Sequence, residues 1–313
     1  MSKARTSALN VPPAILLAGP TASGKSSLAL RLGEALGGEV IGVDSLQVYR
    51  GLPLLTAAPD AASRARLPHH LCGVRSPARP VNVGLWLKAC RTHMRAIWAR
   101  GRRPILVGGS GLYFRCLTEG LAEIPPIAPA VRQKLEAERR AHGLARLWRE
   151  LEAADGLSAA RLKPSDRQRI VRALEVVRAT GVPLSAWQAR TPPPPRAAWR
   201  KVLLTPDRTW LVERIAARLD AMLAAGLLQE VAAFVRRKPP PHNPLWQALG
   251  VKAFAAHLAG ETSLEAARLA ALQQTRQYAK RQMTWFRKYM KDWPAYDEQF
   301  YFNNFDKILS FVS

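Results

Sequence analysis

The chain has 313 residues, 48% of them hydrophobic, which is long enough for one large α/β domain plus a smaller one and too apolar for a disordered chain. Forty-seven Lys and Arg stand against 23 Asp and Glu, a formal net charge of +24, and such an excess points to an anionic polymer as partner, nucleic acid first. Three cysteines, Cys72, Cys90 and Cys116, show no CxxC spacing; this argues against a disulfide framework or structural zinc and leads us to expect the reducing cytoplasm.

Met1 to Asn10 is polar, and no apolar run reaches the length of a membrane span, so a soluble protein without membrane contact is expected. Ala14-Ile15-Leu16-Leu17-Ala18 is a continuous apolar run ending in a glycine loop, the pattern of a buried parallel strand. A helix is predicted from about Lys25, with Leu28, Leu30 and Leu32 as apolar positions and Gly37-Gly38 as its stop. Further strands are predicted at Val40 to Val43, ending at Asp44; at Pro104 to Val107, ending at Gly108-Gly109-Ser110; and at Lys201 to Leu204, ending at Thr205-Pro206-Asp207. Strands alternating with helices predict an α/β fold with a doubly wound parallel sheet. Between 122 and 195 the strands vanish, helical periodicity takes over, and basic residues crowd in up to the Pro192 to Pro195 run. We therefore expect a core domain in two parts, 1–121 and 196–313, with a mostly helical inserted domain at 122–195.

Open parallel sheets bind ligands outside the carboxyl ends of their strands. The glycine loop, Asp44, Ser110 and the loop before Trp210 all follow such ends and are expected to face one cleft. The loop itself, Gly19-Pro20-Thr21-Ala22-Ser23-Gly24-Lys25-Ser26, matches GxxxxGK[ST] between a strand and a helix, the context that motif requires. Its glycines let successive backbone N–H groups turn inward toward phosphate oxygens, and the helix N-terminus adds positive potential. Lys25 supplies a point charge, and Ser26 is the expected ligand for Mg²⁺. The motif alone leaves the bound pyrophosphate open, a nucleotide being the common occupant.

Four further segments follow in order: Val43-Asp44-Ser45-Leu46-Gln47-Val48-Tyr49-Arg50-Gly51, Val107-Gly108-Gly109-Ser110-Gly111-Leu112-Tyr113, Gln168-Arg169-Ile170-Val171-Arg172-Ala173-Leu174-Glu175-Val176, and the stretch from Thr275 through Lys280, Arg281, Gln282, Met283, Thr284, Trp285 and Phe286 to Arg287. With the loop sequence GPTASGKS, this ordered set resembles the tRNA dimethylallyltransferase family from about Ile15 to Arg287. The resemblance implies a P-loop fold that moves a prenyl group from dimethylallyl pyrophosphate to N6 of adenosine 37, beside the anticodon, in tRNAs reading codons that begin with U. Three places depart from the family pattern: Ser110 stands where threonine is usual, Leu55-Thr56-Ala57-Ala58-Pro59 where GTAKP is frequent, and Leu249-Gly250-Val251-Lys252-Ala253 where an IGYRQ-like stretch is found.

Carried onto this chain, the resemblance assigns catalytic roles to Asp44, Ser110 and Arg218 and the donor pyrophosphate to Gly19 through Ser26. The exocyclic amine of adenine is a poor nucleophile, and its attack needs a base and a charge-stabilised leaving group. Asp44 is the expected base; an aspartate that only orders Mg²⁺ and water is the other reading. Ser110 is expected to donate toward the pyrophosphate, and Arg218 to contact it, with Arg214 one helical turn earlier on the same face. For tRNA the resemblance implies Asp44, Ser45, Leu46 and Gln47, Ser110, Arg132, Gln168 through Arg172, Gln247, Ala248, Leu249, Gly250, Val251 and Lys252, and Lys280 through Arg287. Independently, Arg276, Lys280, Met283 and Arg287 share one side of an ideal helix, a basic stripe suited to phosphates, with Trp285 and Phe286 turned elsewhere. The expected partners are the tRNA anticodon stem-loop and dimethylallyl pyrophosphate, and nothing in the chain calls for an obligate dimer, so a monomer is expected. A P-loop kinase explains the loop but not the basic excess; a non-catalytic RNA binder would have no use for Asp44.

Overall fold

A computed structural model describes residues 11–194 and 197–313. The polar start Met1 to Asn10 and the last residue of the proline run, Pro195, lie outside the described residues. The chain forms two compact units, Met1–Arg115 with Arg196–Ser313, and Cys116–Pro195.

The first unit opens with β1 (Ala14–Ala18), α1 (Lys25–Leu36), β2 (Gly38–Val43), α2 (Ala61–Arg66), β3 (His69–His70), α3 (Val83–Ala99), β4 (Arg103–Gly108) and α4 (Gly111–Glu119), the helix in which the division between the units falls. The second unit holds α5 (Pro129–His142), α6 (Leu144–Ala154), α7 (Gly156–Ala159), α8 (Arg167–Thr180) and α9 (Leu184–Ala189). The first unit resumes with β5 (Trp199–Leu204), α10 (Arg208–Ala224), α11 (Leu227–Arg236), a 3₁₀ turn at Pro244–Gln247, α12 (Val251–Leu258), α13 (Leu264–Tyr289), β6 (Ala295–Tyr296), α14 (Glu298–Asn303) and α15 (Phe305–Val312).

The six strands form one sheet in the order β3-β2-β4-β1-β5-β6, and every pairing is parallel. All five residues of β1 and all six of β2 are buried, as a sheet covered on both faces demands. One cluster packs Ile15, Leu17, Ile105 and Val202 against Leu28 and Leu32 of α1 and Ile308 of α15. Another joins the helices α10 to α13 through Leu211, Ile215, Val231, Phe254 and Ala271, with Val48 and Leu52 inserted between them. Of the strands expected from sequence, β1, β2, β4 and β5 are present. The short strands β3 and β6 were not anticipated, since two residues are too few to carry an alternation, and Gly38, read as a helix stop, already begins β2. Among the described residues no helix is long and apolar enough to cross a membrane.

Register fixes the geometry that matters. Ala18 is level with Gly108, and Gly108 with Val43, so β1, β4 and β2 end on one line. Gly19, Gly109 and Asp44 are the next residues of the three strands and share one rim. Gly108 has no alternative there: a Cβ at that position would run into the backbone carbonyl of Val43.

In the second unit Leu135, Leu147, Leu151, Ile170, Val171 and Leu174 form the core. Its polar centre is Asp155, 3% exposed, which accepts from the amides and hydroxyls of Ser158 and Ser185 over 2.6–3.0 Å. Burial pushes this carboxyl up, but the hydrogen bonds outweigh it and hold its pKa below the ordinary aspartate value. Asp155→Ala leaves those donors facing apolar surroundings and should cost roughly 3 kcal/mol, read by chemical denaturation at pH 7. A lowered folded pKa means that the contribution is complete above the unfolded value of about 3.9 and fades as pH falls through the folded one, so the difference from wild type should shrink at acid pH.

Candidate active site

A cavity of about 460 Å³ opens at the rim where β1, β2 and β4 end, and every lining residue belongs to the first unit. One side is the glycine loop: Thr21, Lys25 and Ser26 face the cavity. Gly24 caps the amino end of α1 at φ 84°, and Ala22 also takes a left-handed conformation, φ 64°, so the loop curls as a phosphate cradle requires. Lys25 Nζ donates to the Pro20 carbonyl at 2.9 Å, which turns the ammonium back across the loop. From α10, Arg218 reaches over and donates to Thr21 Oγ1 at 2.6 Å. Burial pulls Lys25 down to about 8, repulsion from Arg218 adds to this, and Asp44 opposes it. Arg218 is itself lowered to about 10, by burial first and then by Arg214. Two cations held this close in a partly dry site are a strained arrangement that an incoming polyanion relieves.

Across the cavity stands Asp44. Its Oδ1 accepts from the amides of Leu46 (2.8 Å) and Gln47 (3.1 Å), a local turn that fixes the carboxylate while Oδ2 accepts no hydrogen bond among the described residues. Ser45, Leu46 and Gln47 also line the cavity, but the Gln47 amide is committed: its Nε2 donates to the carbonyls of Thr56 and Ala57, both at 2.9 Å. Glu230 of α11 holds the same loop from behind, accepting from the amides of Leu54 and Leu55 at 2.7 and 3.0 Å, and burial raises its pKa. Tyr278 of α13 completes the wall beside Asp44, and burial keeps its phenol protonated well above the ordinary value.

Gln282 ties these parts together. It is 6% exposed, accepts from the Thr21 amide at 2.9 Å, and donates to the Gly109 carbonyl at 3.1 Å, bridging the loops after β1 and β4. Gly109 must lack a Cβ because one would collide with this amide, and a Cβ at Gly111 would strike the Trp285 ring.

The residues expected to form the site are brought together unevenly. Thr21, Lys25, Ser26, Asp44, Ser45, Leu46, Gln47, Arg218, Gln247, Ala248, Leu249, Arg281 and Gln282 line the cavity. Ser110 does not: Gly108 and Gly109 do, while Ser110 begins α4 with its carbonyl accepting from the amides of Tyr113 and Phe114. Gly250 sits at φ 86° with its amide on Gln274, and Val251 and Phe286 are buried in the core. Lys252, Lys280, Thr284 and Arg287 are exposed outside the lining, Met283 and Trp285 are half-buried, and the predicted stripe of Arg276, Lys280 and Arg287 faces solvent along α13. In the second unit Gln168, Arg169, Arg172 and Arg132 are exposed, whereas Ile170 and Val171 are core residues that anchor α8. Arg132 and Arg172 both approach Glu175 Oε2, at 3.7 and 3.0 Å. Sequence reasoning missed the bridging role of Gln282, the grip of Glu230 and the placement of Tyr278. Only the paired glycines at 108 and 109 hinted that something packs against that turn.

Two outcomes follow from this geometry. Gln282→Ala removes both bridging bonds and should lower kcat/KM by about 10- to 100-fold, with roughly 2 kcal/mol lost in stability, read by steady-state kinetics and denaturation. Because the folded pKa of Lys25 is depressed, its charge disappears as pH rises through about 8, so affinity for pyrophosphate should weaken across that range. Calorimetry should show this step in the wild type and its loss in Lys25→Met.

Comparison with known proteins agrees with the geometry. The family model described as IPP transferase matches residues 47–289. The tRNA dimethylallyltransferase of Phenylobacterium zucineum is 52% identical over 279 residues, covering 89% of this chain and 91% of that protein. That of Parvibaculum lavamentivorans is 48% identical, covering 96% and 95%. The crystal structure of the full-length tRNA isopentenylpyrophosphate transferase from Bacillus halodurans superposes with a TM-score of 0.66 at 31% identity, covering 96% of each chain. A eukaryotic dimethylallyltransferase solved acting on tRNA superposes at 0.80 with 26% identity, covering 95% of this chain and 77% of that one. The chain shares its overall fold with these solved transferases and belongs to the IPP transferase family of tRNA dimethylallyltransferases.

Proposed function

We propose that this transferase moves the dimethylallyl group of dimethylallyl pyrophosphate to N6 of adenosine 37 in tRNAs reading codons that begin with U, giving N6-(dimethylallyl)adenosine and pyrophosphate. The observation that carries the proposal is a single cavity lined by Lys25 and Arg218 on one side and by Asp44 on the other. The diphosphate lies over Gly19 through Ser26, where backbone N–H groups, Lys25, Arg218 and Thr21 meet the charge that develops as the allylic C–O bond breaks. Asp44 Oδ2 accepts the proton leaving N6 while the nitrogen lone pair forms the new N–C bond; the electrons of the broken C–O bond stay on pyrophosphate. Adenosine cannot react within its stack and must be turned out into the cavity. The arginines and lysines of α13 and of the helical insert at 122–195 then serve the tRNA backbone. Ser110, outside the cavity lining, acts from the rim.

Mg²⁺ fits the residues present. Ser26, exposed at the first turn of α1, faces the cavity beside the loop, and pyrophosphate oxygens would supply further hard ligands. Among the described residues no group of three His, Cys, Asp or Glu could hold a metal ion. When bound it neutralises charge on the leaving pyrophosphate. The protein acts as a monomer in the cytoplasm.

The test is to incubate the protein with labelled dimethylallyl pyrophosphate, Mg²⁺ and unmodified tRNA, then digest and identify the nucleoside. N6-(dimethylallyl)adenosine is expected. Phosphoryl transfer from ATP without prenyl transfer would favour a kinase instead. Asp44→Asn should reduce turnover about 10²- to 10⁴-fold while tRNA affinity stays within a few-fold of wild type.

A further inference from the structure

The last part of the chain, from Met290 onward, lies beyond the residues matched by the family model, yet it packs against the phosphate loop. The Tyr301 hydroxyl donates to the backbone carbonyl of Ser23, and its ring covers Gly24: a Cβ there would lie 3.2 Å from the phenol oxygen and 3.7 Å from Phe302. Tyr301 is 2% exposed and Ser23 1%. The Ser23 carbonyl precedes the cap of α1, so the helix ladder gives it no donor, and the Tyr301 hydroxyl takes that place. Ser23 and Gly24 are consecutive loop residues, and the peptide that joins them carries the Ser23 carbonyl on one side and the Gly24 N–H on the other. A donor fixed on that carbonyl from outside therefore fixes the direction of the N–H turned toward the cradle.

The tail is pinned independently on both sides of Tyr301. Glu298 accepts from the Asp207 amide at 2.8 Å at the start of α10, the helix that carries Arg218. Phe302 lies against the Trp210 ring with centroids 6.0 Å apart, and Arg31 of α1 sits 3.9 Å over the Phe305 ring. Ile308 and Val312 are fully buried, and Arg103 donates to the carbonyls of Val312 and Ser313 at 2.7 and 3.1 Å.

We infer that Tyr301 is a positioning residue for the pyrophosphate cradle, holding the Ser23–Gly24 peptide in the orientation that binds the diphosphate of the donor. The inference rests on reading Gly19 through Ser26 as that cradle. It concerns the anion and not the acceptor, so it is tested first with inorganic pyrophosphate and Mg²⁺ on the full chain. Tyr301→Phe keeps the ring and removes the hydroxyl. It should raise the Kd for pyrophosphate about tenfold and the KM for the prenyl donor in parallel, with the Kd for tRNA unchanged. A pyrophosphate Kd within twofold of wild type overturns the inference. Should Tyr301→Phe not fold, Phe305→Ala, which releases the Arg31 stack, is read by amide hydrogen exchange: faster exchange at Ser23 to Lys25 is expected, and unchanged exchange overturns the role. Failure of the wild type to prenylate tRNA while it binds pyrophosphate would sink the proposed function and leave this inference standing.

Discussion

Three strands ending on one line govern the rest of this molecule. Because Ala18, Gly108 and Val43 are level in a parallel register, the residues that follow them emerge side by side without any further instruction. A phosphate loop, a glycine turn and an aspartate thereby become neighbours although they are separated by dozens of residues in the chain. The price is local: two backbones approach so closely at Gly108 that no side chain fits there.

The rim supplies positions, and the helices supply what holds them. Gln282 reaches from α13 to the loops after both β1 and β4, Arg218 reaches from α10 to Thr21, and Glu230 reaches from α11 to the loop that walls the cavity. Each of these side chains is half-buried or buried, and each is satisfied by backbone or hydroxyl groups of the cavity wall. The cavity wall is consequently braced at the glycine loop and at the segment that walls the cavity beside Asp44. Its unfavourable feature is the crowding of two cations, Lys25 and Arg218, beside Thr21, a repulsion that any anion bound between them would relieve.

The fold and the curl of the glycine loop were legible because both are local. A five-residue apolar run before GxxxxGKS names a strand, a turn and a helix at once, and Asp44 and Gly109 follow runs of the same kind. What escaped reading is what depends on long-range pairing. Gln282 lies 173 residues from Gly109 and 261 from Thr21, and nothing in its own neighbourhood distinguishes a buried bridge from an RNA contact. Gln47 belongs to the segment beside Asp44 expected to meet the base, yet its amide is consumed by Thr56 and Ala57. Ser110 shows the opposite limit: one residue past Gly109 the chain turns into α4, and a hydroxyl expected in the cavity falls outside its lining.

In the loop from Leu54 to Ala57, Glu230 takes up the amides of Leu54 and Leu55, and Gln47 takes up the carbonyls of Thr56 and Ala57. Those four groups are therefore committed to the wall, and the side chains that Leu55 and Ala57 present to the cavity are hydrocarbon. Those two side chains can select only by contour. Contour discriminates gently against a guest one methylene too short, by a factor of about 10 to 200, and harshly against one too large for the space. Selectivity at Leu55 and Ala57 is thus a matter of crowding, to which their side chains add no directional bond.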